Sequence, residues 1–388
     1  IIICLVIYLF LNTNIFSSKE IHEKSVAVLP FDNYSSAEDD QYFSDGLTEV
    51  IIANLAKIKD LKVISRTSVM QYKGTTKPLT EIGNELGVAN ILEGSVQRGN
   101  NRIRIVGQLI DTQTDEHIWA ETYDNVITDL FDIQINVAKK IANVLHAEIS
   151  PEEANILNNK PTENLEAWDY YLKGIEYVNK SYRADDLELA AFFLEKAVKT
   201  DPNFAEAFAK LAKHYIFTYW SGHDRSEKRK QLAKSKLDIA MKLDPDNPNV
   251  RIARGYYYYH GFREYERALE DFKYAIEKLP GKREFNEHIA YIKRRMGDFN
   301  ECNKYLKIAF EYDSQNSALL HNIAESYICI HDFINAEKYF LDVIKLAPDV
   351  DLYYRDFANL YYWKGQISKA IGVIDEAMKL ISSDNLLY

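Results

Sequence analysis

Carboxylates are concentrated near the amino-terminal end of the chain, where they could bind a metal ion. They are Asp32, Glu38, Asp39, Asp40 and Asp45. A calcium loop needs oxygen ligands at alternate positions before a glycine, as in Asp-x-Asp-x-Asp-Gly, and this cluster lacks that spacing. The sequence therefore favours a solvated loop, with Asp45 capping free N–H groups at the start of a helix.

Other residues that could do chemistry also lack suitable partners. The run Arg66-Thr67-Ser68 could bind an anion, although structural hydrogen bonding explains it better. No His-x-x-x-His occurs among the nine histidines. The chain has no phosphate loop, nucleophile elbow or paired-cysteine motif. The sequence predicts no enzyme, no metal ion and no cofactor, and the net charge of −11 argues against nucleic acid as a partner.

Residues 165–388 repeat themselves with a period close to 34 residues. One position of the repeat is occupied by a small residue, or by valine in one unit: Ala197, Ala240, Ala275, Ala309, Val343 and Ala377. The spacings are 43, 35, 34, 34 and 34 residues, and a turn signal such as Asp201-Pro202 follows each time. This period is typical of helix–turn–helix units that bury their apolar faces by stacking on copies of themselves. We therefore expect an all-α solenoid of six units.

Two further slots support this unit. The first helix carries a small residue at a position that we call the small slot: Gly174, Ala212, Gly255, Ala290, Ala324 and Ala358. The second helix carries a large residue at a position that we call the large slot: Leu194, Leu237, Phe272, Leu306, Phe340 and Ile374. Small side chains let antiparallel helices approach closely, and large ones fill the gap between helix pairs. The pattern resembles the tetratricopeptide repeat over all six units, which implies an elongated groove for a protein or peptide.

The groove is the remaining candidate site, because in this repeat type the first helix of each unit lines it. In units four to six the peptide-binding residues would be Tyr291, Arg294, Arg295, His321, Glu325, Arg355, Asn359, Tyr362 and Trp363. Arg355 and Asn359 match part of the clamp with which some tetratricopeptide domains hold a peptide carboxylate. Aromatic and arginine hot spots favour an extended, partly acidic peptide. The alternatives are a solvated face for Arg355 and Asn359, and core packing of Trp363 against Ile367.

Residues 25–150 have a different pattern of apolar and polar residues. This pattern predicts a small α/β domain whose elements follow the order βαβαβββα. The expected strands are 25–31, 62–65, 89–97, 102–111 and 117–123, and the expected helices are 42–58, 79–86 and 129–148. Residues 151–164 are expected to form a linker to the repeats.

Six motifs in this domain point to a family. They are VAVLPFDN at 26–33, YFSDGLTE at 42–49, ISRTS at 64–68, LEGSV at 92–96, QLID at 108–111 and WAETY at 119–123. They resemble the domain related to the amino-terminal region of TolB and to FlgO. In that family tetratricopeptide repeats commonly follow, and a transmembrane helix and a cytoplasmic output domain often precede. The resemblance implies a bacterial signalling or envelope role and supplies no catalytic residues.

An apolar run at residues 1–11 opens the chain. A membrane helix needs about 20 apolar residues, so we expect residues 1–16 to be the outer half of a transmembrane helix that begins upstream. A signal-peptide core and a buried strand are the alternatives. The juxtamembrane linker at 17–24 has only two lysines and so no strong cytoplasmic anchor. We expect a single-pass protein of a bacterial inner membrane whose carboxy-terminal part is extracytoplasmic.

These patterns lead to two hypotheses of function. The first is a non-catalytic, membrane-anchored sensor or scaffold segment that binds a protein or peptide in its repeat groove. The alternative is the regulatory half of a larger nucleotide cyclase or DNA-binding transcription regulator, whose output domain lies upstream of residue 1.

Overall fold

The computed structural model describes residues 22–35, 41–280 and 285–381, and the expected partial membrane helix over 1–16 lies outside these ranges. Within them, no helix is both long enough and apolar enough to cross a membrane. The described chain forms a small domain with a mixed sheet, followed by an array of helices.

The small domain follows nearly the predicted order. Its elements are β1 (Ser25–Val28), β2 (Asp32–Asn33), α1 (Gln41–Leu55), β3 (Lys62–Val63), α2 (Arg66–Met70), α3 (Leu79–Leu86), β4 (Asn90–Gly99), β5 (Arg102–Asp111), β6 (His117–Val126) and α4 (Leu130–Val144). The short elements β2 and α2 were not predicted. Both long helices end earlier than predicted: α1 tightens into a turn in which Ile58 N–H bonds Leu55, and His146 after α4 has a φ of 52°.

The sheet has the order β3-β1-β4-β5-β6, with β2 paired to β4. Strand β1 is parallel to β3 and β4, whereas β4, β5 and β6 are antiparallel neighbours. On β5, the side chains of Ile103, Ile105 and Leu109 are buried, whereas those of Arg102 and Arg104 are exposed. Asn100 and Asn101 join β4 to β5 with φ angles of 51° and 60°, which suit a two-residue hairpin turn.

The segment expected to be a linker is partly helical. Residues Pro151–Asn158 form α5, which begins with a capping box between Ser150 and Glu153. In this motif each residue's side chain bonds the other's backbone N–H, so two free donors at the helix end are satisfied. The first half of the predicted linker over 151–164 therefore contains a helix, which was not predicted.

Six helix pairs follow in the described part of the chain, as the period predicts. The pairs are α6 (Leu165–Lys180) and α7 (Ala184–Thr200), α8 (Ala205–Trp220) and α9 (Glu227–Leu243), α10 (Pro248–Tyr256) and α11 (Tyr265–Lys278), α12 (Asn286–Arg295) and α13 (Phe299–Tyr312), α14 (Ser317–Cys329) and α15 (Phe333–Leu346), and α16 (Asp351–Trp363) and α17 (Ile367–Leu380). We call them units 1 to 6. Unit 3 differs because α10 continues as a π-helical turn, Tyr257–Phe262, that ends at Arg263 in a left-handed conformation.

The large slot is buried in units 1 to 5, as the repeat requires, and partly exposed in unit 6. The large slot is at most 3% exposed in units 1 to 5, at Leu194, Leu237, Phe272, Leu306 and Phe340. In unit 6 the same slot, Ile374, is 39% exposed. The first helix of the next unit therefore covers this slot wherever the described chain supplies one.

The array contacts the small domain first at unit 1. Asp169 on α6 accepts hydrogen bonds from Tyr42 Oη and Arg98 Nη1, each at 2.7 Å. Burial alone would raise the pKa of Asp169, but hydrogen bonds from Arg98, Tyr42 and Lys173 hold it below its ordinary value. Nearby, the rings of Phe131 and Trp168 pack edge to face at 5.0 Å. One apolar core therefore continues from the sheet into the first units.

The array contacts the small domain again at the turn between units 4 and 5. Asp313 Oδ1 accepts hydrogen bonds from the hydroxyl groups of Ser65 and Ser68 at the start of α2. Ser65 N donates to the Tyr312 carbonyl at 3.1 Å, and Gln315 Nε2 donates to the Glu85 carbonyl at 2.7 Å. Units 1 to 4 thus form an arc whose two ends are both held by the small domain.

Candidate functional site

A cavity of about 570 Å³ lies along the first helices of units 1 to 4. Its lining comes chiefly from α6, α8, α12 and the π-helical turn of unit 3. Each of these helices presents a residue at a fixed offset from the small slot of its unit, which is why the side chains converge. A volume of this size is in the range of pockets that bind small molecules or segments of peptide.

Cationic side chains occupy two sides of this cavity. Lys210 and Lys213 come from α8, and Arg294 and Arg295 from the end of α12. The Lys213 ammonium lies 4.0 Å from the centre of the Tyr256 ring. Arg294 donates to Asn322 Oδ1 at 2.9 Å. Its guanidinium also forms an ion pair with Glu325 at 3.3 Å.

Aromatic rings form the wall between the cations. Trp220 and Tyr259 pack against His260 with ring centres 4.4 and 4.5 Å away, and Tyr256 packs against His288 at 4.9 Å. Trp220 is 47% exposed, so part of its ring remains open to solvent. The cavity therefore offers flat apolar faces next to positive charge.

The imidazole rings of the cavity are neutral at pH 7. Burial lowers the pKa of His214 to about 4 and that of His260 to about 3, where Lys213 and Arg295 add to the effect. Burial also lowers the pKa of His288 well below its ordinary value. His214 is held by a 2.8 Å hydrogen bond between Nε2 and the Leu187 carbonyl. These rings serve as surfaces and hydrogen-bonding groups, and the lysines and arginines carry the charge.

A second, smaller cavity of about 290 Å³ lies between the small domain and the array. Helices α1 and α4 form one side, and the first helices of units 1 to 3 form the other. Lys210 and Lys213 line both cavities. The groove and the domain interface therefore share these two lysines.

One group in the described chain could hold a cation. His321, Glu325 and Asp356 place one ligand atom each within 4.8 Å of the others. Each carboxylate already has an arginine partner, because Arg294 pairs with Glu325 and Arg355 Nε lies 3.0 Å from Asp356. These arginines balance the carboxylates without a metal ion.

Comparison with known proteins gives one curated relative and several similar folds. No family model matches the chain. The chain is 39% identical over 188 residues to a protein of Rhizobium meliloti (strain 1021) called putative adenylate cyclase 3. The match covers 48% of this chain and 32% of that protein, so it spans about a third of the relative's length.

Many solved structures also match, and three are given as examples. Pseudomonas aeruginosa PilF is 17% identical, with 56% of this chain and 92% of that chain covered and a TM-score of 0.44. The pilus biogenesis factor PilW is 19% identical, with 56% and 91% covered and a TM-score of 0.43. YrrB, described as a tetratricopeptide repeat protein with an unusual peptide-binding site, is 16% identical, with 48% and 91% covered and a TM-score of 0.38. The resemblance of residues 25–150 to the TolB and FlgO family has no counterpart in these matches and stays a prediction.

The structure brings three of the predicted groove residues into the cavity, namely Tyr291, Arg294 and Arg295. Glu325 lies beside them through its ion pair with Arg294. His321 is only 7% exposed and lies 3.1 Å from Asp356.

The predicted residues of unit 6 lie elsewhere. Arg355, Asn359, Tyr362 and Trp363 are on α16 and do not line the cavity. Tyr362 and Trp363 are 63% and 60% exposed, so Trp363 is not a core residue. Whether the predicted set binds a ligand stays a prediction.

The sequence interpretation overlooked the cavity residues of units 2 and 3. Lys213, Tyr256 and Tyr291 each follow the small slot of their unit directly, and His260 and Arg295 both lie five residues after it. The offsets that selected Tyr291 and Arg295 therefore also select Lys213, Tyr256 and His260. The signal was present, but it was applied only to units four to six.

Proposed function

We propose that this chain is a non-catalytic binding segment that holds a protein or peptide in the concave groove of its repeats. The observation that carries the proposal is the cavity of units 1 to 4, where Trp220 and Tyr259 lie beside Lys213, Arg294 and Arg295. Aromatic and arginine side chains in a recessed, partly desolvated place are the usual energetic centres of protein interfaces.

The test is partner capture by the tagged full chain in the cell that makes it. We compare the wild type with Trp220→Ala in the cavity and with Leu341→Ala, which removes a 46% exposed side chain from the second helix of unit 5. Partners that disappear with Trp220→Ala and persist with Leu341→Ala support the proposal. An unchanged set of partners with a folded Trp220→Ala chain overturns it.

A second function is favoured by the similarity to the putative adenylate cyclase. We propose that the binding segment is the regulatory half of a longer signalling protein, since the match spans only 32% of that relative. The coding sequence upstream of residue 1 decides this proposal. A cyclase, kinase or helix-turn-helix pattern there supports it, and an initiator methionine followed directly by the membrane helix overturns it.

We also propose a membrane anchor at residues 1–16, with the described domains outside the cytoplasm of a bacterium. The apolar run and the two lysines of the linker at 17–24 support this arrangement. An alkaline phosphatase fused after Tyr388 should be active. A fused reporter that works only in the cytoplasm overturns the proposed sidedness.

A further inference from the structure

The charge of the cavity is opposite to that of the chain. The protein carries a formal net charge of −11. Among the described residues that line the cavity, four are lysine or arginine and one, Glu287, is acidic. Because the flanking histidines are neutral, the described lining of the cavity carries a net positive charge, whereas the molecule is negative. Such a field attracts anionic groups and repels cationic ones.

The positive groups are distributed around an aromatic surface. Lys213 on α8 of unit 2 and Arg295 on α12 of unit 4 lie on either side of His260 in unit 3, and both add to the effect of burial in lowering its pKa. In the described part of the chain, His260 Nδ1 is buried without a hydrogen-bond partner. Trp220 packs on the same ring. A ligand that places a ring against Trp220 would therefore have cations on either side.

In unit 6, Arg355, one of the two residues that match part of a carboxylate clamp, already has a partner. The Arg355 guanidinium pairs with Asp356, and the second oxygen of Asp356 accepts from His321 Nε2 at 3.1 Å. A free peptide carboxylate would have to displace Asp356.

From these observations, and resting on the proposed binding function, we infer the ligand class of the cavity. It takes an internal peptide segment in which acidic residues flank an aromatic residue. The aromatic ring packs on Trp220 and His260, and the carboxylates lie near Lys213 and Arg295. The ligand does not need a free carboxyl terminus.

The experiment is a selection of random heptapeptides, displayed without a free carboxyl terminus, on the immobilised full chain. We expect enrichment of Asp or Glu next to Phe, Tyr or Trp. A synthetic, amidated peptide of the enriched sequence should lose about tenfold or more in affinity when Lys213 and Arg295 are both changed to Gln, because two charge-assisted contacts are removed. Its affinity for the wild type should also fall as salt is raised.

The matched control is the double variant Lys199→Gln and Lys345→Gln, which removes the same charge from exposed positions on second helices. It should keep the wild-type affinity. Enriched peptides that are neutral or basic, yet are lost with Trp220→Ala, overturn the ligand class and leave the binding function standing. If no enriched peptide depends on Trp220, Lys213 or Arg295, both proposals are overturned.

Discussion

The carboxylate of Asp313 accepts a hydrogen bond from the hydroxyl group of Ser65, which lies 248 positions earlier in the sequence. Both residues are buried, at 3% and 7% exposure. The bond joins the turn between units 4 and 5 to the first turn of α2, while Asp169 joins unit 1 to the same domain. The small domain therefore fixes the two ends of the arc that contains the cavity.

Replacing Asp313 by Ala should destabilise the protein more than removal of an ordinary helix cap. The change leaves the buried hydroxyl groups of Ser65 and Ser68 without their acceptor, at a cost of about 2–4 kcal/mol in the free energy of unfolding. The measurement is urea unfolding. Asp332→Ala is the control, because Asp332 caps α15 within the array by accepting from Asn335 N. Equal losses in the free energy of unfolding for the two variants would show that the contact between the small domain and the array adds no more stability than an ordinary helix cap.

The large packing slot should respond differently in units 5 and 6. Phe340 is fully buried, so Phe340→Ala should lower the free energy of unfolding by about 3–5 kcal/mol. Ile374 is 39% exposed, and Ile374→Ala should cost less than about 1.5 kcal/mol because little is buried there. Urea unfolding of both variants measures the contrast. A large loss for Ile374→Ala would mean that another surface covers unit 6 in solution.

Acid should weaken the fold through His214. Its pKa is about 4 in the fold and near 6.5 when the chain is unfolded, so on acidification the unfolded state takes up the proton first. The contribution of His214 to the free energy of unfolding is therefore fully present above pH 6.5 and falls as the pH drops towards 4. The total loss from this residue is on the order of 3 kcal/mol. Urea midpoints at pH 7.5 and 4.5 should differ less in His214→Asn than in the wild type. His331→Asn, which removes an exposed histidine, should keep the wild-type difference.

Substitution of the two exposed tryptophans on first helices, Trp220 and Trp363, should show how far along the groove a ligand extends. Trp220→Ala should reduce affinity for a captured partner at least tenfold, since Trp220 lines the cavity. Trp363→Ala should leave helix content and melting temperature nearly unchanged, because the ring is 60% exposed. Circular dichroism and binding are measured on both variants. A loss of affinity with Trp363→Ala would extend the site to unit 6, and a large loss of stability would show that Trp363 packs in solution.

The sequence predicted features that repeat or alternate locally, and it missed those that depend on distant partners. Slots such as Ala275 and Phe272 recur because every unit packs alike, so the six helix pairs could be counted in advance. The capping box of α5 is an exception, because Ser150 and Glu153 form a local signal that was not used. The contact of Asp313 with Ser65 has no local signal, since each residue alone resembles an ordinary turn or cap. The cavity was only partly predicted, because the offsets of the repeat were applied to units 4 to 6 and not to units 2 and 3.

Crosslinking from inside the cavity tests the central claim most directly. A photoreactive benzoylphenylalanine replaces Trp220 in the full chain, and a matched chain carries it at Leu341, which is exposed to a similar extent on a second helix. After irradiation in the cell that makes the protein, we expect discrete adducts with a protein partner from position 220 and none of the same mass from position 341. Folded protein that gives no adducts from position 220, or the same adducts from both positions, would contradict a binding site in the groove.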